Sequence, residues 1–355
     1  MRDLYLDDPV RLRETDSSDM LGAIYGLPDQ LPAALAYTRT QGVRLRTEGL
    51  LQIVITGLGG SAAGGDLLRG YAAAACKVPI FVNRQYELPA FVGPATCVIA
   101  VSYSGNTEET LAAYEEARAR GAQTVVITGG GELLRLAERD SVPHVVVPTG
   151  LQPRAALGYL FVPALLMLAD SGLIPEVDEE LSETVEVLHR LRGLLAPDTP
   201  TAHNPAKQIA CHLHGKIPVI HSTAGLTEAA AYRWKTQINE NANSPAYAHV
   251  YPELNHNEIV GFDVPGAALE LIRVITLRAR DLHPRIGKRI EITTQELLGP
   301  CNGVEVRAEG ESPLAQLFSL LYVGEYLSAY LGLSYGIDPT PVQKIEQLKR
   351  RLAEG

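Results

Sequence analysis

Ser102, Ser104 and Thr107 surround Gly105 at the point where the apolar run Val98-Ile99-Ala100-Val101 stops. A stretch of helical composition, Thr107 to Ala119, follows directly. A parallel strand that ends at a helix N-terminus leaves backbone N–H groups unpaired beside the positive end of the helix dipole. Hydroxyl donors added at such a place suit a phosphate. Ordinary capping would use one hydroxyl, Thr107 or Thr110; three flanking one glycine predict an anion site. Earlier in the chain, Gly57-Leu58-Gly59-Gly60-Ser61-Ala62 ends the apolar run Ile53-Val54-Ile55. Its spacing departs from the dinucleotide fingerprint, and the next strand, Pro79–Val82, ends without an acidic residue to hold a ribose. The nucleotide phosphate loop that closes on Gly-Lys-Ser or Gly-Lys-Thr is absent, which excludes a P-loop NTPase. Coupled to the loop at 102–107, the glycine-rich turn points to a sugar phosphate.

Two further stretches are dense in polar and titratable residues beside apolar segments: Glu240-Asn241-Ala242-Asn243-Ser244-Pro245 and Pro252-Glu253-Leu254-Asn255-His256-Asn257-Glu258. A carboxylate and an imidazole near one pocket can move protons on carbon and oxygen. The same turn-rich residues would serve equally as loop caps, and residue types alone leave both readings standing. His203, His212, His214 and His221 follow no zinc spacing and no cysteine pair supports them, so no metal site is expected.

The elements that must carry these residues alternate. A first helix is expected over Pro28 to Leu45, then strands at Ile53–Ile55, Pro79–Val82, Cys97–Val101, Thr124–Thr128 and His144–Val147, with helical patterns between most of them, including Leu67 to Ala75. Such alternation predicts a doubly wound α/β domain with a parallel sheet, whose ligands bind at the carboxyl ends of the strands. The loops at 57–66 and 102–107 should then converge. Helices over Pro153 to Asp170 and Glu179 to Leu195 complete the first half. The Pro, Thr and Asn content of 196–205 reads as a linker, dividing the chain into 1–195 and 196–355. A second α/β pattern follows: strand Ile217–His221, helix Leu226–Gln237, and strands Tyr247–Tyr251, Leu271–Leu277 and Gly303–Val306. A long apolar helix near Leu314 to Leu333 and an amphipathic helix Val342–Leu352 end it. The second unit has no counterpart of the serine-rich loop and is expected to supply other parts of one site.

The chain of 355 residues, 46% hydrophobic and 20% charged, suffices for two ordinary domains, each with its own core. A formal net charge of -10 argues against nonspecific binding to nucleic acid or acidic membrane, though not against a small anion held by local donors. Cys76, Cys97, Cys211 and Cys301 form no close pair and read as reduced core residues. The charged start, Met1 to Asp8, lacks the apolar segment of a signal peptide. Glu325 interrupts the apolar helix near 314–333, which reads as a core helix rather than a membrane span. A cytoplasmic protein is expected.

Taken together, the motifs resemble the sugar isomerase (SIS) superfamily, and more narrowly the bifunctional phosphoglucose/phosphomannose isomerase family. The resemblance runs from about Leu51 to the C-terminus. It rests on Gly-Gly-Ser at 59–61, Ser-Tyr-Ser-Gly-Asn-Thr-Glu-Glu at 102–109, Pro-Arg at 153–154, Asn-Glu-Asn at 239–241, Asn-His-Asn-Glu at 255–258 and Asp-Pro-x-Pro-Val-x-x-Ile-x-x-Leu-Lys at 338–349. The first ~50 residues match little and add nothing to the assignment.

The resemblance implies two SIS-type doubly wound domains and a metal-independent, cofactor-free aldose–ketose isomerase. It would interconvert fructose 6-phosphate with glucose 6-phosphate and mannose 6-phosphate through a cis-enediolate. Gly60, Ser61, Ser102, Ser104 and Thr107 would cradle the 6-phosphate. Arg154 would stabilise the enediolate, Glu240 would move the proton between C1 and C2, and His256 would assist ring opening from the neighbouring subunit of a homodimer. Lys344 would work at the ring oxygen beside it, and Thr340 would be a small hydroxyl tied to mannose acceptance. Two other classes are weighed against this one. A non-catalytic SIS sensor would need a DNA-binding or partner domain, and neither a helix-turn-helix appendage nor a basic patch is found. An SIS isomerase of another sugar phosphate, such as an amino sugar, usually needs one SIS unit where this chain carries two.

Overall fold

The computed structural model describes residues 5–354; Met1–Leu4, part of the charged start noted above, lie outside the described residues. Three helices come first: α1 (Pro9–Thr15), α2 (Met20–Tyr25) and α3 (Leu27–Gln41). There follow β1 (Gln52–Thr56), α4 (Gly59–Ala72), β2 (Ile80–Asn83), β3 (Thr96–Ser102), α5 (Glu108–Ala119), β4 (Gln123–Thr128), α6 (Gly131–Arg139) and β5 (His144–Val146). A single 3₁₀ turn at Pro153–Ala155 leads into α7 (Leu157–Asp170) and α8 (Asp178–Leu195). The rest of the chain runs α9 (Pro205–Leu213), β6 (Ile217–Thr223), α10 (Leu226–Asn241), β7 (Tyr247–Tyr251), α11 (Gly266–Leu269), β8 (Ile272–Arg278), α12 (Pro284–Ile292), β9 (Asn302–Arg307), α13 (Pro313–Ser334) and α14 (Gln343–Ala353).

Two parallel sheets result, ordered β2-β1-β3-β4-β5 and β7-β6-β8-β9. The second order repeats the first with one strand fewer, so the architecture is duplicated without a visible sequence repeat. Helices flank both sheets, and β3 is buried along its whole length, as a parallel strand covered on both faces must be. In the first sheet, the connections from β1 and β3 leave in opposite directions. The crevice at their carboxyl ends is therefore the switch point where such folds bind ligands, and the glycine-rich and serine-rich segments both end there.

The core is not divided at the linker, contrary to the expectation of one core for each half. A single cluster of buried side chains joins Leu31, Ile53, Phe161 and Leu188 to Trp234 and Phe318. Its axis is α13, buried on all sides from Leu314 to Leu333, as a helix inside a core is. It packs against α8, α9 and α10. Among the described residues no helix is long and apolar enough to cross a membrane. The four cysteines are unpaired, with Cys97 and Cys301 buried.

Several elements differ from the sequence reading. The loop expected at 57–66 is a turn of two residues, because α4 already begins at Gly59. The expected helix 28–45 stops at Gln41, where Gly42 adopts φ 61°. The helix expected from Pro153 is split by its opening 3₁₀ turn. The linker gives way at Pro205 to α9, capped by the Asn204 side chain on the Lys207 amide, and α9, α11 and α12 were not expected. Helix α10 continues past Gln237 to Asn241, so Glu240 stands on the last turn of a helix rather than in a polar loop.

Candidate active site

The serine-rich loop is built by its own side chains. Gly105 adopts φ 70°, and a Cβ there would stand 1.7 Å from the Gly130 carbonyl oxygen, so no larger residue fits this turn. The Ser102 hydroxyl lies 3.0 Å from that of Thr107 and accepts from the Gly105 amide at 3.1 Å. Ser104 accepts from the Asn106 amide at 3.2 Å. Thr107 occupies the N-cap position of α5 but makes no side-chain cap bond. The capping account of this hydroxyl therefore fails; it is turned to Ser102 instead. The Tyr103 amide donates to Ser61 at 3.3 Å, which ties the two loops together at the carboxyl ends of β1 and β3. Glu108 and Glu109 occupy the first turn of α5.

Arg154 lies beside this loop pair. A Cβ on Gly60 would meet the Pro153 carbonyl oxygen at 2.7 Å and Arg154 Cα at 3.1 Å, so α4 touches the Arg154 backbone directly. The Arg154 side chain is 3% exposed. Its Nε donates to Asn241 Oδ1 at 2.8 Å, and its Nη2 donates to the Pro339 and Thr340 carbonyls at 2.7 and 2.8 Å. Nη1 stands 3.7 Å from Glu240 Oε2, and the Glu240 side chain is 26% exposed. Burial pulls the guanidinium below its ordinary pKa, with Glu240 the main opposing influence; an arginine remains charged throughout. A buried cation and a half-open carboxylate thus share one end of α10.

Behind Arg154 runs a buried polar chain. Arg233 donates to the Arg154 backbone carbonyl and through Nε to Glu325 Oε1 at 2.8 Å, and Gln237 also donates to Glu325. Asn241 Nδ2 donates to the Ser328 hydroxyl at 2.9 Å. A buried ion pair needs such extra bonds to offset the loss of water. Glu325 had a signal in the sequence, a charge inside an apolar helix. Arg233 and Gln237, on an ordinary amphipathic helix, had none.

Glu240 and Lys344 line one cavity of about 550 Å³ together with Asn239, Asp338 and Pro341. Thr340 is buried, and its hydroxyl has no protein partner. His256 is not in this lining. It stands exposed on a 3₁₀ turn, Glu253–His256, after β7. Its neighbour Glu258 bridges two imidazoles, His221 Nε2 at 3.4 Å and His249 Nδ1 at 3.5 Å. The structure therefore brings together Gly60, Ser61, Ser102, Ser104 and Thr107, lays the Arg154 backbone against Gly60, gathers Glu240 and the Thr340 carbonyl around the Arg154 guanidinium, puts Lys344 with Glu240 in the wall of a cavity that none of the five loop residues lines, and leaves His256 apart within the single chain. His203 and His212 are dispersed, His214 stacks on Tyr335 at 4.5 Å, and His221 is buried against Glu258. No group of three or more His, Cys, Asp or Glu able to hold a metal occurs among the described residues.

Comparison with known proteins identifies two segments of the chain. Residues 49–138 match the SIS domain, and residues 202–352 match the bacterial phospho-glucose isomerase C-terminal SIS domain. The chain is 47% identical to a bifunctional phosphoglucose/phosphomannose isomerase of Caldicellulosiruptor bescii, over 94% of this chain and 99% of the relative. It is 36% identical to one of Aquifex aeolicus, over 84% and 90%. The C-terminal domain of glucosamine-fructose-6-phosphate aminotransferase from Francisella tularensis superposes with a TM-score of 0.69, covering 90% of this chain and 97% of that one at 16% identity. That likeness is one of fold.

Proposed function

The chain belongs to the bifunctional phosphoglucose/phosphomannose isomerase family, and from this premise we propose that it interconverts fructose 6-phosphate with glucose 6-phosphate and mannose 6-phosphate without a metal. The observation that carries the reading is the meeting of a buried guanidinium with the Glu240 carboxylate, 3.7 Å away, next to a turn ringed by hydroxyls.

The 6-phosphate is taken by Ser61, Ser102, Ser104 and Thr107 and the backbone at Gly60, and its binding energy holds the reacting end in register. Glu240 removes the proton from C2 of the open-chain aldose. The electron pair moves into the C1–C2 bond and the carbonyl pair moves onto O1, giving the enediolate. Arg154 stabilises that charge from a desolvated position, where a cation acts most strongly. Protonation at C1, with the O2 proton transferred to O1, gives the ketose; protonation of C2 from either face gives the glucose or the mannose configuration. Thr340, with an unused hydroxyl, is the residue we assign to tolerance at C2.

Ring opening needs an acid–base near the ring oxygen, and imidazole titrates in the right range. We assign it to His256 of the partner subunit in a homodimer, with Lys344 beside it. The exposure of His256 and the solvent-facing Ile345, Leu348 and Leu352 of α14 support that assembly. The test is an isomerase assay on fructose 6-phosphate with EDTA present, following both aldose phosphates. Formation of both supports the proposal. Neither product, with sugar-phosphate binding retained, overturns it in favour of a sensor or another substrate.

A further inference from the structure

Two contacts from the N-terminal segment, which lies outside both matched SIS segments, close on the surroundings of Arg154. The first comes from α3. Gln30 is 5% exposed; its Nε2 donates to the Ala155 carbonyl at 2.8 Å, and its Oε1 accepts from the Gly158 amide at 3.1 Å. One buried amide thus satisfies both a carbonyl of the 3₁₀ turn that carries Arg154 and a free N–H in the first turn of α7. Groups of this kind cost most when left unpaired.

The second contact reaches the other side of the guanidinium. Asp16 is 7% exposed and accepts from the Met20 and Leu21 amides at 2.9 and 2.8 Å, which fixes the turn between α1 and α2. That turn presents Ser17 and Ser18, whose hydroxyls donate to Asp338 Oδ2 at 2.6 and 3.4 Å. The other Asp338 oxygen accepts from the Thr340 amide at 2.9 Å. Asp338 therefore braces the Pro339 and Thr340 peptides whose carbonyls receive Arg154 Nη2.

We infer that the N-terminal segment is a clamp for the reactive arginine, with Gln30, Ser17 and Ser18 as positioning residues that hold Arg154 against Glu240 from two sides. None of the three touches the site itself. The inference rests on the role given to Arg154 under the proposed function. It assigns to the first forty residues a part in turnover, where the sequence offered them none.

The test is a double-mutant cycle on the full chain, reading kcat and KM separately. Gln30→Met keeps the shape and removes both hydrogen bonds; the exposed pair Ser17→Ala/Ser18→Ala removes the outer contact without disturbing the core. The expected result is a fall in kcat of about tenfold for Gln30→Met, since small displacements of a positioning group are costly. The serine pair should fall about threefold on the same grounds, with KM within about twofold for both. In an Arg154→Ala background neither change should lower the rate further. The clamp is overturned by wild-type kcat in both variants while Arg154→Ala is impaired, or by equal losses in both backgrounds. Wild-type turnover in Arg154→Ala would instead remove the role of Arg154 itself, and the clamp with it.

Discussion

Gly60→Ala probes the joint between the two parts of the site. Its added carbon would stand 2.7 Å from the Pro153 carbonyl oxygen, 2.9 Å from the Pro153 carbonyl carbon and 3.1 Å from Arg154 Cα. All three are backbone atoms, so no side chain can swing aside. Comfortable carbon–oxygen contact begins at about 3.3 Å, and the 3₁₀ turn must retreat by about half an ångström. Overpacking of this size costs roughly 1–3 kcal/mol of stability. The retreat also draws the guanidinium from its 3.7 Å contact with Glu240. A displacement of 1 Å can cost about 10²-fold in rate, so half of that predicts about tenfold, or ~1.4 kcal/mol in the barrier. The assay is steady-state isomerisation with kcat and KM resolved, beside a thermal melt of the same preparation. Lower kcat with Tm reduced by a few degrees is expected. Wild-type kcat and wild-type Tm together would refute the reasoning, since the backbone contact would then not transmit to Arg154.

Glu240→Gln should lower kcat by about 10³-fold while sugar-phosphate binding, followed by calorimetry, changes little; a near-normal rate removes Glu240 from the proton transfer. His256→Ala should lose about 10²-fold on cyclic substrate and much less on an open-chain substrate; equal losses would speak against ring opening. Glu183 on α8 accepts from the Glu311 and Ser312 amides at 2.6 and 3.1 Å, and its contacts with Ser312, then with Glu311, hold its carboxyl below the ordinary value. The folded protein then binds this proton less readily than the unfolded chain, so the stabilisation is present above the ordinary carboxylate range and is lost as pH falls through the lowered value. Glu183→Gln should therefore cost ~1 kcal/mol at pH 7, and the Tm gap from wild type should narrow below about pH 4; a constant gap would contradict this.

The serine-rich turn was legible because its chemistry is local. Three hydroxyls, one glycine with positive φ and a helix start lie within six residues, and strand–turn–helix order is written in the same stretch. The alternation of apolar runs likewise determined two parallel sheets, and the quoted motifs determined the family. Local propensity misled at α4, where glycines suggested a loop to residue 66. Tertiary contact reverses that preference: the helix can approach the Arg154 backbone only because Gly60 has no side chain.

What the sequence could not contain was the pairing of distant segments. Arg154, Glu240, Asn241 and the Pro339–Thr340 carbonyls meet only because α13 binds both halves into one core, and Arg233 acquires its buried partner Glu325 by the same packing. Gln30 and Ser17 look like ordinary helix and turn residues until α3 and α7 are docked. By itself the sequence determined the local chemistry and the fold class, since both are properties of neighbouring residues. The position of the buried cation, and the segments that hold it, were decided by the tertiary structure, since a charge is desolvated and its hydrogen bonds are completed only when distant parts of the chain exclude water together.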